Sequence, residues 1–326
     1  LVYIFALKNM KIALITKNRK PFICVVRNSR VIVLQAAYDK FRRQLKLPLI
    51  DSEHFSNPLL FIQNFGRIKK TVSALLSKAE NVSNKKTNYM LSLSRAKLMA
   101  PVPKPRSIYC LARNYSEHIL EFNERVVEQD KMVPPIFIKP QTCVTGPGGP
   151  VILPQNGRQI DWEAELAVVI GKKAKYVSVE GALKHVFGYT CMLDISERGL
   201  KIWDRTEDRG RDKFFDWLNG KWMDTFAPQG PWIVTKDEIG DPQNLNINLS
   251  VNGIEKQNAG TEQMIFSVAQ IISYLSQIVT LMPGDIISTG TPSGVGAPQG
   301  TFLKHGDLIE MNIEKIGCLG VLTKSS

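Results

Sequence analysis

Short β-type apolar runs, KIALIT, PFICVV and RVIVLQ, fill residues 11–35 and are punctuated by the turn-forming clusters N-R-K-P and R-N-S-R. This pattern predicts strands joined by tight turns. Residues 36–80 look more helical, with Thr71–Glu80 as the tail of that region, and residues 81–95, rich in Asn, Lys and Ser, read as loop. Pro101-Val102-Pro103-Lys104-Pro105 is a stiff proline-spaced linker, and we place a domain boundary there. Beyond it strand-like segments dominate, with turns expected at G-P-G-G-P (146–150), D-P (241–242), N-G (252–253) and P-G-D (283–285). Met264, Ile265, Val268, Ile271, Ile272, Leu275 and Ile278 recur at helical spacing and predict a core-facing helix over 262–278.

The run D-W-E-A-E-L-A-V-V-I-G at 161–171 puts two carboxylates at the head of an apolar strand. Side chains alternate along a strand, so Glu163 and Glu165 project the same way, about 7 Å apart. Two acids on a partly buried face repel each other and lose hydration, so they call for a cation or strong donors. The other reading is that both lie on the wet face of a half-exposed strand. About thirty residues later, G-Y-T-C-M-L-D-I-S (188–196) is a second strand-like run with one acid, Asp194. Three carboxylates with no clustered His or Cys describe an oxygen-rich site suited to Mg²⁺, Mn²⁺ or Ca²⁺ and not to zinc.

A third cluster is A-R-N-Y-S-E-H-I-L-E, 112–121. If it is helical, His118 and Glu121 are i,i+3 neighbours, and a carboxylate beside an imidazole orients it as a general base. An incidental pair on a solvated helix face is the alternative. The remaining histidines, His54, His185 and His305, carry no second signal. The stretch Glu121 to Val133 is polar and charge-rich, which predicts a lid that is mobile without ligand and closes over the site.

With P-P-I-F-I-K-P-Q-T, G-K-W-M-D-T-F-A-P-Q-G-P-W-I-V-T, V-N-G-I-E-K-Q, M-I-F-S-V-A-Q-I-I-S-Y-L-S and L-M-P-G-D-I-I-S-T-G-T-P-S-G-V-G, these segments occur in an order that resembles the fumarylacetoacetate hydrolase family over roughly residues 101–326. The resemblance implies an α+β, predominantly β fold: a mixed β-roll/sandwich catalytic domain over 101–326 with a smaller N-terminal α+β domain over 1–100. It implies Glu163, Glu165 and Asp194 as ligands of Mg²⁺ or Mn²⁺, with Ca²⁺ as a third choice. It implies His118, Glu121 and Lys221 as catalytic residues, and Arg113, Tyr115, Lys139, Gln257, Thr289, Gly290 and Thr291 as substrate-binding ones. It also implies a small anionic 2-oxo acid as substrate and a homodimer.

The resemblance leaves the reaction open among C–C hydrolysis of an acylpyruvate- or fumarylpyruvate-like compound, decarboxylation or isomerisation of an oxaloacetate-type acid, and silent anion binding. Three departures from the family pattern stand out: Ala112 where Gly is common, Trp222 after Lys221, and Ser196-Glu197-Arg198-Gly199 where an Arg-Asp pair is common.

Composition sets the outer bounds. With 326 residues, 44% of them hydrophobic, the chain buries one large core or two unequal ones. Five scattered cysteines without C-x-x-C spacing point to a reducing compartment, expected to be the cytoplasm. The opening L-V-Y-I-F-A-L-K-N-M is too short for a membrane span and lacks a cleavage site, and Met10 is a more natural beginning. The net charge of +12 is uneven: residues 1–100 hold 19 Lys+Arg against four acids, and the rest hold 23 against 26. A basic face of that kind binds RNA or an anionic surface, or is simply solvated. The segment has no zinc-finger, RNP-type or glycine-clamp signature, so the solvated reading is favoured and neither a nucleic-acid nor a membrane partner is expected.

Overall fold

The computed structural model describes residues 10–81, 87–155 and 157–326. The sequence expectations for 1–9, and for 82–86 within the polar stretch, fall outside them. The fold is α+β and predominantly β. Among the described residues it has a twelve-stranded sheet, a five-stranded sheet and a two-stranded ribbon.

The large sheet is built outward from Ala164–Ile170, which is buried along its whole length. Val186–Leu193 pairs with it antiparallel on one side and Ile286–Ser288 on the other. Past Val186–Leu193 come Ala227–Thr235 and then Lys11–Lys17, so the N-terminal strands extend the same sheet. The three runs read from the sequence are the strands Lys11–Lys17, Lys20–Arg27 and Arg30–Val33. Two-residue turns join them, with Asn18, Arg19, Asn28 and Ser29 all at positive φ, the backbone that matches a hairpin's twist.

The two faces of the large sheet serve different cores. Leu166, Val168 and Ile170 pack toward the five-stranded sheet, in one cluster with Ile247, Ile309 and Leu319. Ala167 and Val169 face the other way, in a cluster with Phe61, Val72 and Leu75 of the helix Pro58–Glu80. That helix starts at Asn57, whose side chain accepts from the Leu59 and Leu60 amides, with Pro58 at its first position. Phe65 on this helix meets Phe187 of the central sheet edge to face, with centroids 5.1 Å apart.

The helix expected over 262–278 is shorter than the apolar spacing suggested and runs Val268–Ile278. Ser267 closes a capping box with Gln270 and fixes the start. Upstream, Met264 bridges Tyr115, and the Ile265 amide donates to the Asn114 carbonyl, so this backbone is committed to pairing with another segment. The loop expected over 81–95 contains the short strand Met90–Ser92, which adds to the sheet beside Arg30–Val33.

Because the Phe65–Phe187 contact ties the N-terminal helix to the central sheet, Phe187→Ala is expected to cost about 3–5 kcal/mol. Calorimetry should show one transition moved to lower temperature. A transition confined to the N-terminal third, with the remainder unmoved, would contradict this.

Candidate functional site

Two strand ends create the site. Ala164 pairs with Leu193, and the Asp194 amide donates to the Glu163 carbonyl, so the head of one strand meets the tail of its neighbour. Glu163, Glu165 and Asp194 thereby converge, each offering an oxygen within 4.8 Å of the others, all three buried. In one plane of sheet, the register alone gathers the three acids.

Cations answer two of them. Lys221 Nζ donates to Glu163 at 2.8 Å and to Asp194 at 2.7 Å. Arg198 Nη2 lies 2.5 Å from Glu163, and its Nε donates to Asp161 at 3.0 Å. Lys139, fully buried, bonds to Asp194 and to the Ile195 carbonyl. Burial alone would raise the Glu163 pKa, but Lys221, Arg198 and His118 outweigh it and hold the group down at about 2. Burial likewise opposes the charge on Lys221, and Asp194 and Glu163 overcome it, so the lysine sits above its ordinary value.

Glu165 is treated differently. One oxygen accepts from Ser288 Oγ at 2.5 Å and from the Gly290 amide at 2.8 Å. The other, Oε1, is buried with no hydrogen-bond partner among the described residues. Burial first, then Asp194 and Glu163, push its pKa up to about 8. An orphaned carboxylate oxygen beside two further acids, with only oxygen donors converging, fits a hard divalent cation. Glu163, Glu165 and Asp194 are the residues that would hold it.

The His118–Glu121 pair forms as the spacing suggested. Ser116–Leu120 is a short helix, His118 Nδ1 lies 2.5 Å from Glu121 Oε1, and the Gly294 amide donates to Glu121 Oε2 at 2.8 Å. With Nδ1 engaged, Nε2 is the ring atom left to exchange a proton. His118, Glu163, Lys221, Arg113 and Thr291 line one cavity of about 530 Å³, together with Arg198 and several apolar side chains.

Other residues singled out from the sequence lie behind this cavity. Gln257 accepts from the Ala164 amide and donates to Thr291 Oγ1 and the Pro292 carbonyl, which stitches the turn to the acidic strand. Thr289 Oγ1 donates to the Leu166 carbonyl. Gly290 holds φ +91° and aims its amide at Glu165, a backbone that favours glycine. Tyr115 is buried, its hydroxyl has no partner among the described residues, and burial drives its pKa well up. Arg113, by contrast in the cavity lining itself, pairs with Glu124 at 2.6 Å.

The departures resolve individually. The left-handed backbone falls on Arg113 (φ +56°), not on Ala112. Trp222 turns outward, 38% exposed, and its Nε1 donates to the Ile138 carbonyl, so it neither narrows the cavity nor enters the core. At 196–199, Glu197 is buried and accepts from the Arg158, Gln159 and Gly199 amides, which fixes the backbone on either side of Arg198. Gly220 has the Glu197 carbonyl where a Cβ would stand, so the helix Asp212–Gly220 can deliver Lys221 to the acids. Sequence reasoning missed Asp161 and the role of Arg198. The i, i+2, i+4 spacing of Asp161, Glu163 and Glu165 was the available signal.

Several known proteins are similar to this chain in sequence and in fold. The chain is 43% identical over 233 residues to the mitochondrial oxaloacetate tautomerase of Xenopus laevis, covering 71% of this chain and 69% of the relative. It is 44% identical over 220 residues to 2,4-didehydro-3-deoxy-L-rhamnonate hydrolase of Sphingomonas sp. SKA58, covering 67% and 73%. The crystal structure of maleylpyruvate hydrolase from Sphingobium sp. SYK-6, in complex with manganese(II) and pyruvate, superposes with a TM-score of 0.73 at 27% identity. That likeness covers 97% of this chain and 100% of the other, so it extends through the N-terminal strands. No helix among the described residues is long and apolar enough to cross a membrane. Residues 107–321 match the fumarylacetoacetate (FAA) hydrolase C-terminal family, and with this site and these relatives the chain belongs to the fumarylacetoacetate hydrolase family of enzymes.

Proposed function

We propose that the protein is a divalent-metal-dependent hydrolase that cleaves a C–C bond in a small acylpyruvate-like 2-oxo acid. The observation that carries this reading is one cavity lined by both His118 of the dyad and Glu163 of the acidic triad, with Lys221 between the charges. The structural neighbour that holds manganese(II) and pyruvate supports Mn²⁺ or Mg²⁺ as the cation and a 2-oxo acid as the ligand.

When bound, the cation would polarise the 2-oxo group and stabilise negative charge developing there. The chain's own residues supply the rest. Glu121 fixes the His118 ring, and Nε2 takes a proton from water as its oxygen attacks the distal carbonyl carbon. Two of the three Lys221 N–H donors are committed to Glu163 and Asp194, and the third is available to oxyanion charge in the cavity. The C3–C4 bond then breaks, its electron pair staying with the pyruvate fragment. His118 returns the proton to C3, so one water yields a carboxylic acid and pyruvate.

Tautomerisation of an oxaloacetate-type acid is the second reading, favoured by the name of the Xenopus relative. It needs the dyad only to move a proton, with no attack by water. The tautomerase relatives named as mitochondrial extend the expected compartment from the cytoplasm to the mitochondrion. A homodimer belongs to the same proposal.

Turnover of acetylpyruvate and fumarylpyruvate with Mn²⁺ or Mg²⁺, beside oxaloacetate tautomerisation, separates the readings. His118→Gln should lower hydrolytic kcat by about 100- to 10,000-fold while Mn²⁺ binding by calorimetry persists. Accelerated enol–keto exchange of oxaloacetate, with neither acetylpyruvate nor fumarylpyruvate hydrolysed, would replace hydrolysis with tautomerisation.

Glu165 gives a pH test of the triad. Its pKa rises from 4.5 to about 8 on folding, so between those values the metal-free folded chain keeps a proton that the unfolded chain has lost. Stability therefore falls as pH rises through this window. Glu163, held at about 2, acts in the opposite sense and only below 4.5. The metal-free protein should melt at a lower temperature at pH 8 than at pH 6, and Glu165→Gln should flatten the dependence. A wild-type melting temperature that does not fall would refute this account of Glu165.

A further inference from the structure

The cavity above Glu163 has aromatic walls that the chemistry just described does not require. Phe137 comes from the strand Ile136–Lys139, and Phe214 and Trp217 from the helix Asp212–Gly220. Phe137 and Trp217 meet edge to face with centroids 5.2 Å apart, and Phe214 lies 5.7 Å from Trp217 with the rings tilted by 35°. Lys221 fixes their distance from the reacting groups. Its Nζ lies 5.4 Å from the Phe137 centroid and 5.9 Å from that of Trp217 while bonding to Glu163 at 2.8 Å. The aromatic wall thus stands beside Lys221, the cation that joins Glu163 to Asp194. Phe214 leaves 55% of its surface exposed, large apolar area that a ligand would cover.

Resting on the 2-oxo acid reading, we propose that the substituent on the distal side of the substrate is planar and apolar, an aryl or conjugated alkenyl group seated against Trp217 and Phe214. Size supports this: about 530 Å³ falls within the range of about 300–1,000 Å³ of pockets that enclose drug-sized ligands. A four-carbon dioate would leave most of it to water. Charge supports it as well. Arg113, a natural anchor for a second carboxylate, is already paired with Glu124, which lines the same cavity. A distal carboxylate would have to displace that pair and would meet Glu124 as a like charge. Among the described lining residues, Lys213, exposed on the helix, is the remaining cation outside the acidic centre.

Three acids that differ only at C4 test this: 2-oxobutanoate, 2-oxoglutarate and 2-oxo-4-phenylbutanoate, carrying hydrogen, carboxylate and phenyl. None has the second carbonyl needed for hydrolysis, so calorimetry on the Mn²⁺-loaded full chain reads affinity alone. The phenyl acid should bind about tenfold or more tighter than either of the others, as burying most of a ring implies. Phe214→Ala, at a half-exposed position that leaves the fold intact, should reduce that preference by about threefold or more, and Trp217→Ala should do the same. Equal affinities, a preference for 2-oxoglutarate, or a phenyl preference untouched by both variants would overturn the proposal and leave the 2-oxo acid reading standing. Binding of Mn²⁺ with none of the three acids would overturn both.

Discussion

Four carboxylates, Asp161, Glu163, Glu165 and Asp194, are buried where two neighbouring strands begin and end, and the architecture around them is organised by the need to hold that charge. Removing ions from water costs several kcal/mol each unless partners replace the lost hydration. Elements remote in sequence each send such a partner. Lys139 arrives on a strand, Lys221 from the end of a helix, and Arg198 from the segment after Asp194. Gly290 and Gly296 bring backbone amides. The balance is complete at Glu163 and Asp194 and incomplete at Glu165, whose Oε1 has no partner among the described residues.

The same need accounts for much of what looks incidental in the surrounding loops. Among the described residues no cation pairs with Glu197, yet three backbone amides satisfy it, and it fixes the chain on both sides of Arg198. Gln257 uses both ends of its amide to hold the turn at 291–292 against Ala164. Neither side chain lines the cavity. They set where the charged groups stand, and a displacement of about 1 Å at such groups costs two orders of magnitude in rate.

Legibility in the sequence followed the locality of the interaction. Strand alternation projects Glu163 and Glu165 to one side, and helical spacing sets His118 against Glu121; both relations are complete within five residues. The three N-terminal strands were equally readable because their two-residue turns leave little freedom of register. The start of the 268–278 helix was not, since Met264 and Ile265 fit a helical pattern but are taken by Tyr115 and Asn114, about 150 residues away. The continuity of the N-terminal strands with the central sheet was hidden for the same reason: Lys11 pairs with Val234. Phe137 and Trp217 gave no warning at all, because a single aromatic side chain looks the same in a core as in a cavity wall.

Glu121 uses both of its oxygens, one on His118 and the other on the Gly294 amide. Trp162, next to Glu163, donates from its indole to the Gly294 carbonyl, so that glycine is tied to the floor segment that carries Glu163. Any swing of the His118 helix away from the floor must break the Glu121–Gly294 bond and free the carboxylate to rotate in water. The imidazole then loses its orientation at the moment the cavity opens. If His118 is the base proposed above, it is aimed only while this bond holds, so a site opened there would present bulk water with an unaimed histidine and wasteful proton transfer would be suppressed.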